Sequence, residues 1–339
     1  MRPGLHLSLA FILALPVVSQ AQFASSDALA QAKEQIAHGQ PEQGIGTLRH
    51  LAEAEPATPG AAHALGIALY RTGKLVDAAK AFTQAEKEDP QDIEAVQLHG
   101  LSLYRLGQPA EAIPYLQRVR KFTPEANADA NYVLGLCYLN SRRYDDARVS
   151  FAAQFGVFPD SGSAYLLFAR QLMLAKLPEI AEPAAQKALA QDPKLPLGHF
   201  MLGEIYLYKS NTDLALAEFE AERKLNASYA PVYERLGDLY SRVGKFSEAQ
   251  EVLMKALSLD TSSTGPFILM GKVLLRRNDP ASALLYLRHA EKMDPDSVTT
   301  HSLLGQAYRG VGDQARAKTE TDEAARLNSS NQLQLQPVK

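Results

Sequence analysis

The residues of this chain that could do chemistry are eight histidines, one cysteine and a few paired carboxylates, and their spacing argues against most of the chemistry they could do. The histidines are His6, His38, His50, His63, His99, His199, His289 and His301. Beyond the first residues no two lie three or four apart, the spacing that puts two imidazoles on one helix face around a metal. Cys137 stands between Leu136 and Tyr138, a setting for a buried, inert thiol rather than a nucleophile. A lone cysteine forms no intrachain disulfide and no cysteine-based metal site. Asp145-Asp146 reads as a solvated helix start. Gly44-Ile45-Gly46 has no Lys-Ser/Thr pair behind it and is no phosphate loop, and no Gly-x-Ser-x-Gly elbow occurs. Asn226-Ala-Ser228 and Asn328-Ser-Ser330 are glycosylation acceptors only in a eukaryotic host. The expectation is a protein that is not an enzyme, with no cofactor and no metal.

Composition narrows the class. With 46% hydrophobic and 22% charged residues the chain is neither a disordered tail nor a multi-span membrane protein. A net charge of −3 without any Lys/Arg-rich block lacks the footprint of a nucleic-acid binder. The start differs from the rest. Arg2 is followed by an apolar stretch from Leu5 to Val18, and then by the small residues Ser19 and Ala21 flanking Gln20. That order predicts a secretory signal peptide over 1–21, cut after Ala21. It is short for a bilayer span, which takes about 20 residues, so an uncleaved anchor is the lesser reading. The expected destination is a periplasm or the exterior, with no membrane span after cleavage.

The remainder repeats. Gly66, Gly100, Gly135, Gly203, Gly237, Gly271 and Gly305 recur at spacings of 34, 35, 68, 34, 34 and 34, with Ala169 at the middle of the long gap and Ala32 one period upstream. Relative to each of these nine marks, Ala78, Ala112, Ala147, Ala181, Ala215, Ala249, Ala283 and Ala317 sit twelve later, with Gly44 in the first unit. A large apolar residue sits sixteen later in most units: Leu48, Phe82, Leu116, Phe151, Phe219, Leu253 and Leu287. Proline sits twenty-four later at Pro56, Pro90, Pro124, Pro159, Pro193 and Pro295. Two small residues on different helices predict a close crossing, with Ala249 facing Gly237 in the seventh unit. Pro41, Pro109, Pro178 and Pro280 suit the first turn of a second helix, and Gly39, Gly73, Gly107, Gly244 and Gly312 suit a left-handed cap at the end of the first. Pro114 and Pro183 fall inside second helices and predict bends. In the last unit the second helix is expected over 316–327, its polar face closing the array, with a flexible tail over 332–339.

On these Gly, Ala and Pro positions the chain resembles the tetratricopeptide repeat (TPR) family. The early tryptophan of that pattern is absent; Ala62, Val96, Asn131, Tyr165, His199, Tyr233, Phe267 and His301 stand in its place. The resemblance covers residues 25–331. It implies an all-α, right-handed superhelical α-solenoid of about nine helix–turn–helix units, starting near 25, 59, 93, 128, 162, 196, 230, 264 and 298. It also implies a concave wall made by the first helix of each unit.

Positions three before each mark, one after it and four or five after it then face inward. They include Tyr70, Arg71, Tyr104, Arg105, Tyr132, Leu166, Met173, Phe200, Tyr208, Arg242 and Arg276. The wall is expected to be apolar and aromatic in units four to six, with arginines on both flanks offering planar forks to carboxylates. The rival reading of the same large side chains is packing between neighbouring first helices. The Lys-x-x-x-Asn and Lys-x-x-x-Arg clamp of TPR co-chaperones is missing from these helices. The expected function is a protein-binding scaffold or adaptor in an export compartment, holding a peptide or a partner's helix. Alternatives are a periplasmic assembly factor for an export complex and a regulatory subunit of an envelope enzyme. Oligomeric state is left open.

Overall fold

The computed structural model describes residues 20–122 and 128–334, with side chains over 24–122 and 130–330. Residues 1–19 of the predicted leader, Pro124 and residues 335–339 lie outside the described residues, while the last two leader residues, Gln20 and Ala21, open the first helix. Every regular element described is a helix. The chain divides into two compact units, Met1–Val157 and Phe158–Lys339.

The first unit holds α1 (Gln20–Ala37), α2 (Pro41–Glu53), α3 (Ala61–Arg71), α4 (Leu75–Glu88), α5 (Ile93–Arg105), α6 (Pro109–Phe122), α7 (Ala128–Asn140) and α8 (Tyr144–Gln154). The second holds α9 (Gly162–Leu174), α10 (Pro178–Gln191), α11 (Gly198–Tyr208), α12 (Thr212–Leu225) and α13 (Ala230–Arg242). It continues with α14 (Phe246–Leu259), α15 (Gly265–Arg276), α16 (Pro280–Met293), α17 (Val298–Gly310) and α18 (Gln314–Gln334). Within each unit an odd-numbered helix packs on the even-numbered one that follows, and that pair packs on the next, so each unit is a stretch of α-solenoid.

Local chemistry starts and stops these helices. Pro41, Pro109, Pro178 and Pro280 are the first residues of α2, α6, α10 and α16, where a missing N–H costs nothing. Asp92, Ser161 and Ser297 accept the N–H three residues on, at 3.0, 3.3 and 3.3 Å, capping α5, α9 and α17. The end of each first helix turns through a left-handed residue. Five of these are the expected glycines, with φ of 76–86°. In the other four pairs Arg142, Lys176, Ser210 and Asn278 take φ of 58–60° at the same place, so the turn is imposed by the pair's packing even where no glycine relieves it. Pro114 and Pro183 do sit inside α6 and α10.

At the crossing of the two helices the glycine meets a large side chain first. A Cβ placed on Gly237 would first meet Leu253, sixteen residues on, at 2.5 Å. The same holds at Gly66 with Phe82, Gly135 with Phe151 and Gly203 with Phe219. The glycine therefore admits a large side chain over the first helix. The alanine twelve later, fully buried in most pairs, brings the second helix close. Where the mark is Ala169, the residue sixteen on is the small Ala185, also buried.

Two expectations for the C-terminus need correcting. The last helix runs Gln314–Gln334 and not 316–327, and the stretch expected to be a tail from 332 is helical to Gln334. Ser329 and Ser330 hydroxyls donate to the Ala325 and Arg326 carbonyls there. Thr321 fills the place over Gly305 and donates to the Ala317 carbonyl at 2.8 Å.

Candidate functional site

None of the eleven residues expected to line a groove is buried; each is half-buried or exposed on a first helix. In the first unit, the Arg105 guanidinium lies over the Tyr70 ring, 5.0 Å from its centroid, joining α5 to α3. Burial, and then the neighbouring Cys137 and Tyr132, push the Tyr104 phenol up from its ordinary value, so Tyr104 and Tyr132 share one environment across α5 and α7. Cys137 itself is buried, and burial pushes its thiol up to about 12, as an inert core cysteine requires. Arg71 lines a cavity of about 250 Å³ with Lys33, Ile36, His63 and Ile67, all from α1 and α3.

In the second unit Leu166 of α9 and Phe200 of α11 meet in a cavity of about 620 Å³. Leu167, Met201, Arg170 and Tyr229 share it. Phe200 is held between two aromatic neighbours, its centroid 5.4 Å from Phe219 and 5.2 Å from Tyr229, the latter edge-on. Part of that ring is thus core, as the packing reading has it, and part faces the cavity. Tyr132 divides in the same way, 5.8 Å from Phe151. Arg276 lines a separate cavity of about 420 Å³ with Lys272, Leu275, Leu303 and Gln306 on α15 and α17. Met173 and Tyr208 line neither of these cavities, and Tyr208 is 56% exposed. Arg242 is engaged with Asp238 of its own helix at 2.7 Å, whereas among the described residues Arg71, Arg105 and Arg276 hold no carboxylate.

Two features of the site escaped the sequence. The position two before the mark also faces these cavities, through Ala64, Leu167, Met201 and Leu303. The other is Glu222 of α12, fully buried, whose carboxylate accepts the Leu197 N–H at 3.1 Å and the Phe200 N–H at 3.2 Å. It caps α11, which starts from a left-handed Leu197, and so fixes the backbone that carries Phe200. Its signal was readable: nineteen after the mark other units carry Leu51, Ala85, Val119, Ala188, Ala256, Ala290 and Ala324, and only the sixth carries Glu at a position otherwise apolar or, at Gln154, an uncharged amide. Beside it, the Arg235 guanidinium of α13 bonds Glu204 of α11 at 2.6 Å. Among the described residues no helix is long and apolar enough to cross a membrane.

Several comparisons bear on this arrangement. Human cilia- and flagella-associated protein 70 is 29% identical over 148 residues, a match that takes in 39% of this chain and 13% of that protein, so the chain spans about an eighth of that relative's length. Among solved structures, Pseudomonas aeruginosa pilF is similar at 21% identity and a TM-score of 0.49, over 59% of this chain and 91% of that one. A MamA crystal structure is similar at 19% identity and 0.45, over 48% and 95%. YrrB, described as a TPR protein with an unusual peptide-binding site, is similar at 21% and 0.34, over 56% and 96%. The sequence pattern of the tetratricopeptide repeat matches residues 29–93, 98–156 and 268–331, and a second form of it matches 230–263. These matches take in more than half of the chain and fall on the helix pairs described above, so the protein belongs to the tetratricopeptide repeat family.

Proposed function

We propose that the protein is a non-enzymatic scaffold that holds a peptide segment or a partner's helix along its first helices. The observation that carries this is the cavity of about 620 Å³ between α9 and α11, where Leu166, Leu167, Met201 and Phe200 present apolar surface with Arg170 beside them. A cavity of that size accepts one or two large apolar side chains, and an adjacent guanidinium suits a carboxylate. In the first unit, Tyr70, Arg71, Tyr104 and Arg105 add aromatic faces and exposed forks for an extended segment with acidic residues or a free carboxylate. The apolar, positively led start of the sequence supports an exported protein, cut after Ala21 and working in a periplasm or outside the cell. A role as an assembly factor or as a regulatory subunit of an envelope enzyme fits the same surface.

Co-purification from the native host, followed by calorimetry with the captured partner at two salt concentrations, tests the groove. The Arg71→Ala/Arg105→Ala variant is expected to lose on the order of 1 kcal/mol of affinity or more for each charge-assisted bond. Its stability should fall by only about 0.5–1 kcal/mol, for the contact between Arg105 and Tyr70. Lys87→Ala/Glu88→Ala, on the second helix of the same pair as Arg71, is expected to change neither. Binding lost in the Lys87/Glu88 variant and kept in the arginine variant would place the partner on the second helices. Intact mass of the exported protein should begin at Gln22; a retained Met1 in a membrane fraction would make the leader an anchor.

A further inference from the structure

Three helices of the second unit bring Glu291 of α16, His301 of α17 and Glu320 of α18 to one point. A ring nitrogen of the histidine and one oxygen of each carboxylate all lie within 4.8 Å of one another. His301 Nδ1 is 2.7 Å from Glu320 Oε2, and Nε2 is 2.8 Å from the Pro295 carbonyl oxygen. His301 is buried, and the Glu320 side chain is nearly so.

The hydrogen-bond inventory of imidazole shows what this arrangement lacks. A neutral ring that donates Nε2–H to Pro295 turns the Nδ1 lone pair toward a carboxylate oxygen, and two acceptors cannot face each other at that distance without a cation between them. A proton there balances one of the two carboxylates; a divalent ion balances both. Among the described residues neither Glu291 nor Glu320 pairs with a Lys or Arg that could supply the second charge. The bond from Nε2–H to a backbone carbonyl is the support that metal-ligating histidines ordinarily have, since it fixes the ring and its tautomer.

The molecule carries its own comparison. Three periods earlier, His199 and Glu218 form the same pair at 2.6 Å, but the place of Glu291 is held by Leu189. The third ligand is therefore particular to the last helix pairs and is no by-product of the repeat.

We propose that Glu291, His301 and Glu320 bind a divalent first-row transition ion of the zinc type, water completing its coordination and the ion tying α18 to the two helices before it. One imidazole with two carboxylates suits zinc and its neighbours better than magnesium or calcium, which prefer all-oxygen sites.

The test uses the full chain, freed of metal by chelator and titrated calorimetrically with Zn²⁺ and separately with Mg²⁺, with thermal melts in each ion. Saturable Zn²⁺ binding that raises the melting temperature, with no matching response to Mg²⁺, is expected. Glu291→Gln should weaken Zn²⁺ binding by roughly tenfold or more, while Glu218→Gln should leave it unchanged. Glu291 makes no hydrogen bond or ion pair among the described residues, so its variant tests the site without disturbing the fold; Glu320→Gln is the second ligand variant. Absent Zn²⁺ binding, or binding that Glu291→Gln leaves intact, overturns the site and makes the cluster a protonated histidine between two carboxylates.

Discussion

Gly237 is a glycine because Leu253 occupies the space its side chain would need. Gly237→Ala is expected to destabilise the protein by about 1–3 kcal/mol, measured by chemical denaturation, as overpacking of a filled crossing does. Ala249→Leu should cost a similar amount for a different reason, since it pushes α14 off α13 at a fully buried position. The nine marks were legible at once, because small residues that recur at a fixed interval need a common cause. The large side chain that lies over each glycine was not. Periodicity says which positions repeat, while the partner depends on how far round the second helix the crossing falls. The candidate groove residues were legible as a face of the first helices, but Glu222 was not, because a single departure within one repeat stands out only when the positions are compared column by column.

Helix ends show the same division at the next scale. Proline first turns and glycine last turns could be placed to the residue, because each rests on a local backbone rule. The turns at Arg142, Lys176 and Ser210 could not, since nothing in those side chains asks for a left-handed φ, whereas Asn278 is of a type that tolerates it. The full length of α18 was hidden for another reason: the sequence after Leu327 reads Asn-Ser-Ser-Asn-Gln and carries no apolar periodicity. The start of α11 depends on a residue of another helix. Glu222→Ala removes the acceptor of two N–H groups and is expected to cost about 1–3 kcal/mol. The loss should be concentrated in α11, with faster amide hydrogen exchange at Leu197 and Phe200 than in α13. Uniform loss of protection across both helices would show that Glu222 is not the cap of α11.

At the scale of the molecule, stability comes from neighbours. Within each unit, a pair buries its inner faces partly within itself and partly on the next. Removing residues 196–229, one whole period inside the second unit, should leave a cooperatively melting protein with proportionally less helix by circular dichroism. Removing 196–211, which takes α11 and leaves α12, should not, because α12 then exposes Phe219 and Ala215, both fully buried in the intact chain. Equal damage from the two deletions would mean that the period is not the folding unit. The division at Val157 and Phe158 left no trace in the spacing, because Gly135 to Ala169 is still one ordinary step of 34.

The reciprocity between Ala169 with Ala185 and Gly203 with Phe219 limits how such a chain can be recombined. A crossover placed in the turn between α9 and α10 that borrowed α12 in exchange would press a phenylalanine ring onto a methyl group. The converse product would leave a hole the size of that ring above a glycine, at a cost of about 3–5 kcal/mol if it stayed empty. Crossovers placed between pairs carry both halves of the match together. Genetic duplication or laboratory shuffling of this gene should therefore yield viable products when the breakpoints fall after even-numbered helices, and the inherited module is the matched couple of helices rather than any stretch of 34 residues.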